Sequence, residues 1–226
     1  ESFLERLLLH GVTDLLMTTT SDTWDGYLEQ LDFIQRAMVR QREGSLKGAT
    51  IRGIHFEGPD LSPRHGGAMP LRYFAELNET RLTELFERLL EPRGFLVTLA
   101  PERPGADDAI RRLLAQGCHV QAGHSDADYE QGRVAFDRGV TSLWHCFNAM
   151  TGIHHRAPGM VTAALLDDRV FLELISDTIH IHPAVMTMVY RLGGPGRVIL
   201  VSDSTKTTGF PDGHYESGGH PVIIEN

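Results

Sequence analysis

The amino-acid sequence predicts an α/β protein built as an incomplete (β/α)8 TIM-type barrel, and three observations carry that reading. Helix-like runs that stop at a glycine alternate with short apolar runs that read as strands, the rhythm of parallel βαβ units. Side chains able to do chemistry collect at the carboxyl end of nearly every strand-like run, as on the C-terminal face of a barrel. About seven strands can be read, one short of a closed (β/α)8 barrel. The chain opens at Glu1-Ser2-Phe3 with no initiator Met and no signal-peptide pattern, so it is expected to begin mid-fold.

Residues 15–19 read as the first strand. Asp22 is placed to cap a helix whose apolar positions Tyr27, Leu28, Leu31, Ile34 and Met38 fall at helical spacing and which stops at Gly44. Residues 51–57 read as the second strand. Leu82, Leu85, Phe86 and Leu89 mark the next helix, stopped by Pro92 and Gly94 before strand 95–100. Ile110, Leu113 and Leu114 mark another, ending at Gly117 before strand 118–123. A helix from Tyr129 to Phe136 ends at Gly139 ahead of strand 140–145. Helical runs 160–166 and 185–192 precede strands 170–176 and 197–203. No low-complexity tract, linker or repeat interrupts this order, so residues 1–226 are expected to form a single domain.

A doubly wound sheet shares the rhythm but confines its chemistry to one or two loops at a switch point. Here the strand ends carry Thr18-Thr19-Thr20, His55-Phe56-Glu57, Ala100-Pro101-Glu102, His124-Ser125, His145, Ser176-Asp177 with His180, and Ser202-Asp203. That spread favours the barrel.

Composition narrows the class of partner. Hydrophobic residues at 41% and charged residues at 23% are ordinary for a globular domain. A formal charge of −9 argues against a nucleic-acid or anionic-membrane surface, while leaving room for a small anionic substrate held by a local cluster of donors. No run approaches the ~20 apolar residues that span a bilayer. Cys118 and Cys146 are too few for a disulfide framework and sit in apolar runs, so free thiols in a reducing compartment, the cytoplasm, are expected.

Glu57, His124 and His145 each end a different strand. Any one of them could be an ordinary polar residue at a strand mouth. Together, two imidazoles and a carboxylate make a donor set for a catalytic divalent metal that keeps a position for water. Asp203 closes the apolar run Val198-Ile199-Leu200-Val201-Ser202, where a carboxylate can act as general base or simply cap the next turn. His180-Ile181-His182 has ligand-like spacing, but Pro183 follows at once and His182 can merely precede a helix. Asn148 with His154-His155-Arg156 forms a donor-rich loop in which Arg156 could recognise phosphate or stay solvated. Gly66-Gly67 and Gly193-Gly194 are turn signals, unlike a phosphate-binding fingerprint.

Seen as an ordered set, these segments resemble the N-acetylglucosamine-6-phosphate deacetylase family of the amidohydrolase superfamily. The segments are Gly53-Ile54-His55-Phe56-Glu57-Gly58-Pro59, Val97-Thr98-Leu99-Ala100-Pro101-Glu102, Ala122-Gly123-His124-Ser125, and His145-Cys146-Phe147-Asn148-Ala149-Met150. They continue with His155-Arg156-Ala157-Pro158-Gly159, Ser176-Asp177 with His180, and Val201-Ser202-Asp203 ahead of Gly209-Phe210-Pro211-Asp212-Gly213. The resemblance runs from about residue 11 to the end. It implies a metal-dependent hydrolase barrel in which Glu57, His124 and His145 bind zinc or iron(II), one ion per subunit, and Asp203 shuttles the proton. It also implies that Asn148, the backbone at Ala149, Arg156 and His180 hold an amino-sugar phosphate, with Ala68, Met69 and Asp177 beside the substrate. A homodimer with phosphate contacts partly from the neighbouring subunit follows from the same likeness.

The sequence departs from that family's pattern in three places. The first strand with its His-x-His, the last helix and the flanking β-sandwich are absent from the chain. Gly67-Ala68-Met69 stands where the family has Gly-Ala-His, and a thioether cannot replace imidazole as a hydrogen-bond partner. Asp177-Thr178-Ile179-His180 stands for Asp-Gly-x-His. The last two changes leave room for another acylamino sugar or a cyclic amide as substrate; a catalytically silent sugar-phosphate binder is the reading from a different class.

Overall fold

The computed structural model describes residues 2–217 and 220–225. A helix α1 (Ser2–Leu9) leads into strands that alternate with helices. The order is β1 (Asp14–Thr18), α2 (Trp24–Arg42), β2 (Thr50–Glu57), α3 (Glu79–Arg88), β3 (Phe95–Leu99), α4 (Ala106–Ala115) and β4 (His119–Ala122). It continues with α5 (Tyr129–Asp137), β5 (Ser142–Leu143), α6 (Gly159–Leu166), β6 (Phe171–Ile175), α7 (Pro183–Gly193) and β7 (Val198–Val201). The seven strands hydrogen-bond in chain order, every neighbour parallel. A doubly wound sheet reverses its order at a switch point. This sheet never does, and it curls into a half-barrel consistent with part of a TIM-type barrel.

The inner strands form where an apolar run is covered on both faces, as in β3 and β4, where Val97, Leu99, Val120 and Ala122 are fully buried, whereas the edge strands β1 and β7 are only partly covered. The helices lay apolar stripes against the sheet: Tyr27, Leu28, Leu31 and Ile34 on α2, Leu82 and Leu85 on α3, Ile110 and Leu113 on α4. One expectation shifts by a residue. Thr23, not Asp22, caps α2 by accepting from the Gly26 N–H, while Asp22 accepts from Thr23 N–H at 2.7 Å. Helix α1 and an antiparallel hairpin of β8 (Gly213–Ser217) and β9 (His220–Ile224) were not expected from the sequence.

Just before β7, Arg197 braces the last helices against the sheet. Its guanidinium donates to the carbonyls of Ala164, Asp167 and Val170 and to those of Leu165 and Leu192, at 2.8 to 3.1 Å. These carbonyls lie at the ends of α6 and α7 and before β6, where helix geometry leaves acceptors without partners. One side chain therefore ties two helix ends to the strand between them. No helix among the described residues is long and apolar enough to cross a membrane.

Candidate metal centre

The parallel register brings residues far apart in sequence onto one face. Glu57 pairs with Thr98, Thr98 with Gln121, and Gln121 with Ser142 across β2 to β5. Below the ligand layer these side chains form a buried polar floor. Gln121 Nε2 donates to His55 Nε2 at 3.0 Å and to Thr98 Oγ1 at 2.7 Å, while Gln121 Oε1 accepts from Ser142 Oγ. Since His55 Nε2 accepts, its Nδ1 carries the proton toward Thr18 Oγ1 at 3.2 Å. Burial holds His55 down at about 4, against the pull of Glu57, so the ring is neutral.

Above this floor Glu57, His124 and His145 meet. His124 Nε2 lies 3.2 Å from Glu57 Oε1 and 3.0 Å from His145 Nε2, and His145 Nε2 lies 3.7 Å from Glu57 Oε1. One ligand atom from each falls within 4.8 Å of the others, and all three residues are buried. The loop after β2 sets the tautomer of His124: the His65 carbonyl, 2.8 Å from Nδ1, can only accept, so Nδ1 carries hydrogen and Nε2 is free to ligate. His145 Nδ1 is buried without a hydrogen-bond partner among the described residues.

The electrostatics fit a cation. Burial opposes charge on Glu57, yet the His124 hydrogen bond and the surrounding imidazoles hold its carboxyl down at about 2. Burial likewise opposes a charged His124, but the Glu57 hydrogen bond and charge outweigh it and raise the ring. Burial first, then His124, lowers His145 to about 4, leaving a neutral imidazole ready to ligate. Two neutral-capable imidazoles and a firmly ionised carboxylate are a donor set that can hold a divalent metal ion.

Asp203 ends β7. Burial first and the Glu57 charge second push it up to about 6, opposed by His124 and His180. Its side chain is exposed, so solvent screens part of that shift. Glu173, on β6, has its carboxyl raised to about 8 by burial, then by Glu57 and Asp203, and is neutral at pH 7.

The remaining sequence-predicted residues rim the same end of the sheet to different degrees. Asn148 and Ala149 turn directly behind His145: Asn148 Nδ2 donates to the His145 carbonyl at 3.2 Å, and the Ala149 carbonyl accepts from Ser125 N–H. Ala68 is exposed and Met69 half-buried in the loop after β2. That loop reaches the metal centre at Gly67, where a Cβ would stand 3.3 Å from His124 Cε1 and 3.6 Å from Ala149 Cβ. Arg156 is exposed, and its guanidinium makes no ion pair among the described residues. His180 is exposed and paired with Asp177 at 2.6 Å, whose other oxygen accepts from the Ile179 and His180 N–H groups. His182 is the cap of α7, accepting from Ala184 N–H at 3.2 Å, which explains its place before Pro183.

Sequence reasoning assigned no role to three groups that shape the centre. The His65 carbonyl is a backbone atom with no residue-type signal. Glu102 accepts from Ser125 Oγ at 2.6 Å and Asp126 N–H at 2.7 Å, pinning the loop that carries His124. Trp144 donates to Glu57 at 2.6 Å, although an aromatic residue in an apolar run reads as core.

No protein-family profile matches the chain. It is 41% identical over 215 residues to the N-acetylglucosamine-6-phosphate deacetylase of Vibrio furnissii, covering 95% of this chain and 52% of that protein. It is 40% identical over 228 residues to the N-acetylgalactosamine-6-phosphate deacetylase of Escherichia coli O157:H7, covering 97% of this chain and 58% of that protein. The chain is homologous to amino-sugar-phosphate deacetylases. Solved structures agree. An aspartate-to-alanine mutant of the Mycobacterium smegmatis N-acetyl-D-glucosamine-6-phosphate deacetylase, in complex with N-acetyl-D-glucosamine-6-phosphate, superposes with a TM-score of 0.86 at 33% identity over 96% of this chain and 54% of that one. The Thermotoga maritima N-acetylglucosamine-6-phosphate deacetylase superposes with a TM-score of 0.89 at 28% identity over 100% of this chain and 59% of that one. The chain thus spans little more than half the length of these relatives.

Proposed function

We propose that the chain is the barrel portion of a metal-dependent amidohydrolase that converts N-acetylglucosamine 6-phosphate to glucosamine 6-phosphate and acetate. The convergence of Glu57, His124 and His145 from three strands carries the reading, with Asp203 electrostatically coupled to the first two. Homology to deacetylases supplies the substrate class.

Glu57, His124 and His145 would hold a single zinc or iron(II) ion, which would supply Lewis acidity to the acetyl carbonyl and lower the pKa of water. Asp203 takes the proton released as water attacks the acetyl carbon, then returns it to the amide nitrogen as the C–N bond breaks. The sugar nitrogen so leaves as a neutral amine. Asn148, the Ala149 backbone, Arg156 and His180 hold the sugar phosphate, Arg156 through its planar fork. Ala68, Met69 and Asp177 border the sugar.

The proposal extends to the whole protein. Edge strands β1 and β7 leave Leu16 and Leu200 exposed, which supports a (β/α)8 barrel of the metal-dependent hydrolase kind whose seam lies between them. Residues 1–226 then belong to one domain, and the protein acts as a homodimer. Two free, buried thiols, Cys118 and Cys146, suit a cytoplasmic enzyme.

Met69 and the Escherichia coli relative favour a second reading, the galacto epimer as substrate. Acetate release by the full-length, metal-loaded protein decides between them. The assay compares N-acetylglucosamine 6-phosphate, its unphosphorylated form and N-acetylgalactosamine 6-phosphate. Fastest release from the first is expected. Preference for the galacto ester moves the assignment to the second reading, and no release from any of them with metal bound overturns both.

A further inference from the structure

We infer that Trp144 is a positioning residue of the metal centre: its indole N–H holds the Glu57 carboxylate in the orientation that meets the two imidazoles. The inference rests on the metal-centre reading above. Trp144 Nε1 donates to Glu57 Oε1 at 2.6 Å, and both residues are buried, at 6% and 7% exposure. Oε1 is also the oxygen that faces His124 Nε2 and His145 Nε2. An indole N–H only donates, and an ionised carboxylate oxygen only accepts, with more than one lone-pair site. The bond therefore fixes the side chain while leaving a site on the carboxylate for a cation.

The ring is itself held on several sides. It meets His55 edge-on, centroids 4.5 Å apart at 63°, and tilts against His145 at 5.0 Å and 32°. His55 is anchored in turn by Thr18 and Thr98. Gly123 makes room for the arrangement: a Cβ there would come within 2.9 Å of Trp144 Cβ and 3.2 Å of its Cδ1. One stiff side chain thus joins the carboxylate donor to the flank of an imidazole donor and to the polar floor beneath. A tryptophan that merely filled the core would need its shape and not its N–H.

The two roles separate by removing the donor and keeping the ring. Trp144→Phe does so approximately; benzothienylalanine introduced at position 144 alone does so with the bicyclic shape intact. Zinc affinity of the full-length, metal-stripped protein, measured by competition with a chromophoric chelator, is the readout, and no substrate is involved. Both replacements are expected to raise the zinc dissociation constant by about 10- to 100-fold, the scale of lost outer-sphere hydrogen bonds. The melting temperature of the metal-free benzothienylalanine protein should stay within about 1 °C of wild type, below the ~2–4 °C shift that marks a real loss of stability in a domain of this size. Weakened zinc binding in the Phe protein alone, or wild-type affinity in both, overturns the inference and leaves the metal centre standing. Absence of zinc binding by the wild-type protein overturns the metal centre itself and this inference with it.

Discussion

The two ends of the sheet differ in which residues carry left-handed backbone. Where helices turn back into strands, the left-handed positions are glycines: Gly11, Gly44, Gly48, Gly117, Gly139 and Gly194. Where strands run out into loops, glycines such as Gly58 and Gly67 share the conformation with side-chain-bearing residues: His124, His145, Phe147, Ala149, Thr178 and Asp203. A left-handed L-residue costs about 1–2 kcal/mol, which glycine avoids. The amino end is relaxed and braced by Arg197. The carboxyl end accepts strain at two metal-ligand candidates and the candidate base, the pattern of a functional face held in place by the rest of the fold. Substitutions at the two ends should therefore separate stability from activity.

Asp203→Asn should have the largest effect on activity, lowering kcat in the full-length protein by at least ~10²-fold, the scale of lost general acid–base catalysis. Its melting temperature should hold. Wild-type turnover in this variant would remove Asp203 from the reaction. The pH profile checks the same residue. Burial and Glu57 raise Asp203 to about 6, and a bound cation opposes them. A base must be ionised, so kcat should fall as pH drops through a value at or below about 6 and stay level above it. An acidic limb well above 6, or one unchanged in the Asn variant, contradicts the assignment.

At the other end, Arg197→Ala should cost about 2 kcal/mol of stability, because several part-buried carbonyls lose a charged donor together. Urea unfolding measures it. The kcat of the remaining folded enzyme should match wild type, and a comparable loss of kcat would erase the division between the two ends.

The same division explains what could be read from the sequence. The inner strands of the sheet were legible because both faces are covered, so unbroken apolar runs such as Phe95–Leu99 stand out; the partly exposed edge strands β1 and β7 were legible from their short apolar runs alone. Glu57, His124 and His145 were legible because a strand end that bears a ligand-type residue interrupts such a run. Hairpin β8–β9 was not: the stretch mixes His214, Tyr215, Glu216 and Pro221 and is largely exposed, so no buried alternation marks it. Gly218-Gly219 was the one available turn signal. Trp144 and Arg197 escaped because their partners are a carboxylate 87 residues upstream and backbone carbonyls, which residue-type patterns do not encode. His182 shows the reverse case, a ligand-like spacing that the backbone uses as a cap.

Arg156→Ala sharpens the comparison within the carboxyl end. Its guanidinium stands exposed without an ion pair among the described residues, so nothing in the fold depends on it. KM for the phosphorylated sugar should rise by about 10-fold, the size of one exposed charge-assisted contact, with kcat reduced far less. Stability should not move. A larger fall in kcat than rise in KM would mean that Arg156 acts in the transition state and not as a phosphate clamp.

The smallest expected effects come from exchanging glycine and alanine across the sheet. At Gly117 (φ +83°) an added Cβ would meet only Arg93 Cγ at 3.8 Å, so Gly117→Ala has room and its cost is backbone strain, about 1 kcal/mol. Ala149 (φ +48°) is the mirror case. Ala149→Gly relieves similar strain but frees the unfolded chain by ~0.4–1 kcal/mol, so its net effect on stability should be near zero. If Ala149 is strained in order to aim its backbone at the substrate, the glycine variant should bind the sugar phosphate more weakly at unchanged stability. Gly117→Ala should show the opposite, lower stability with unchanged KM. Equal behaviour of the two variants in urea unfolding and in KM would mean that the strain at the carboxyl end is only a by-product of the turn.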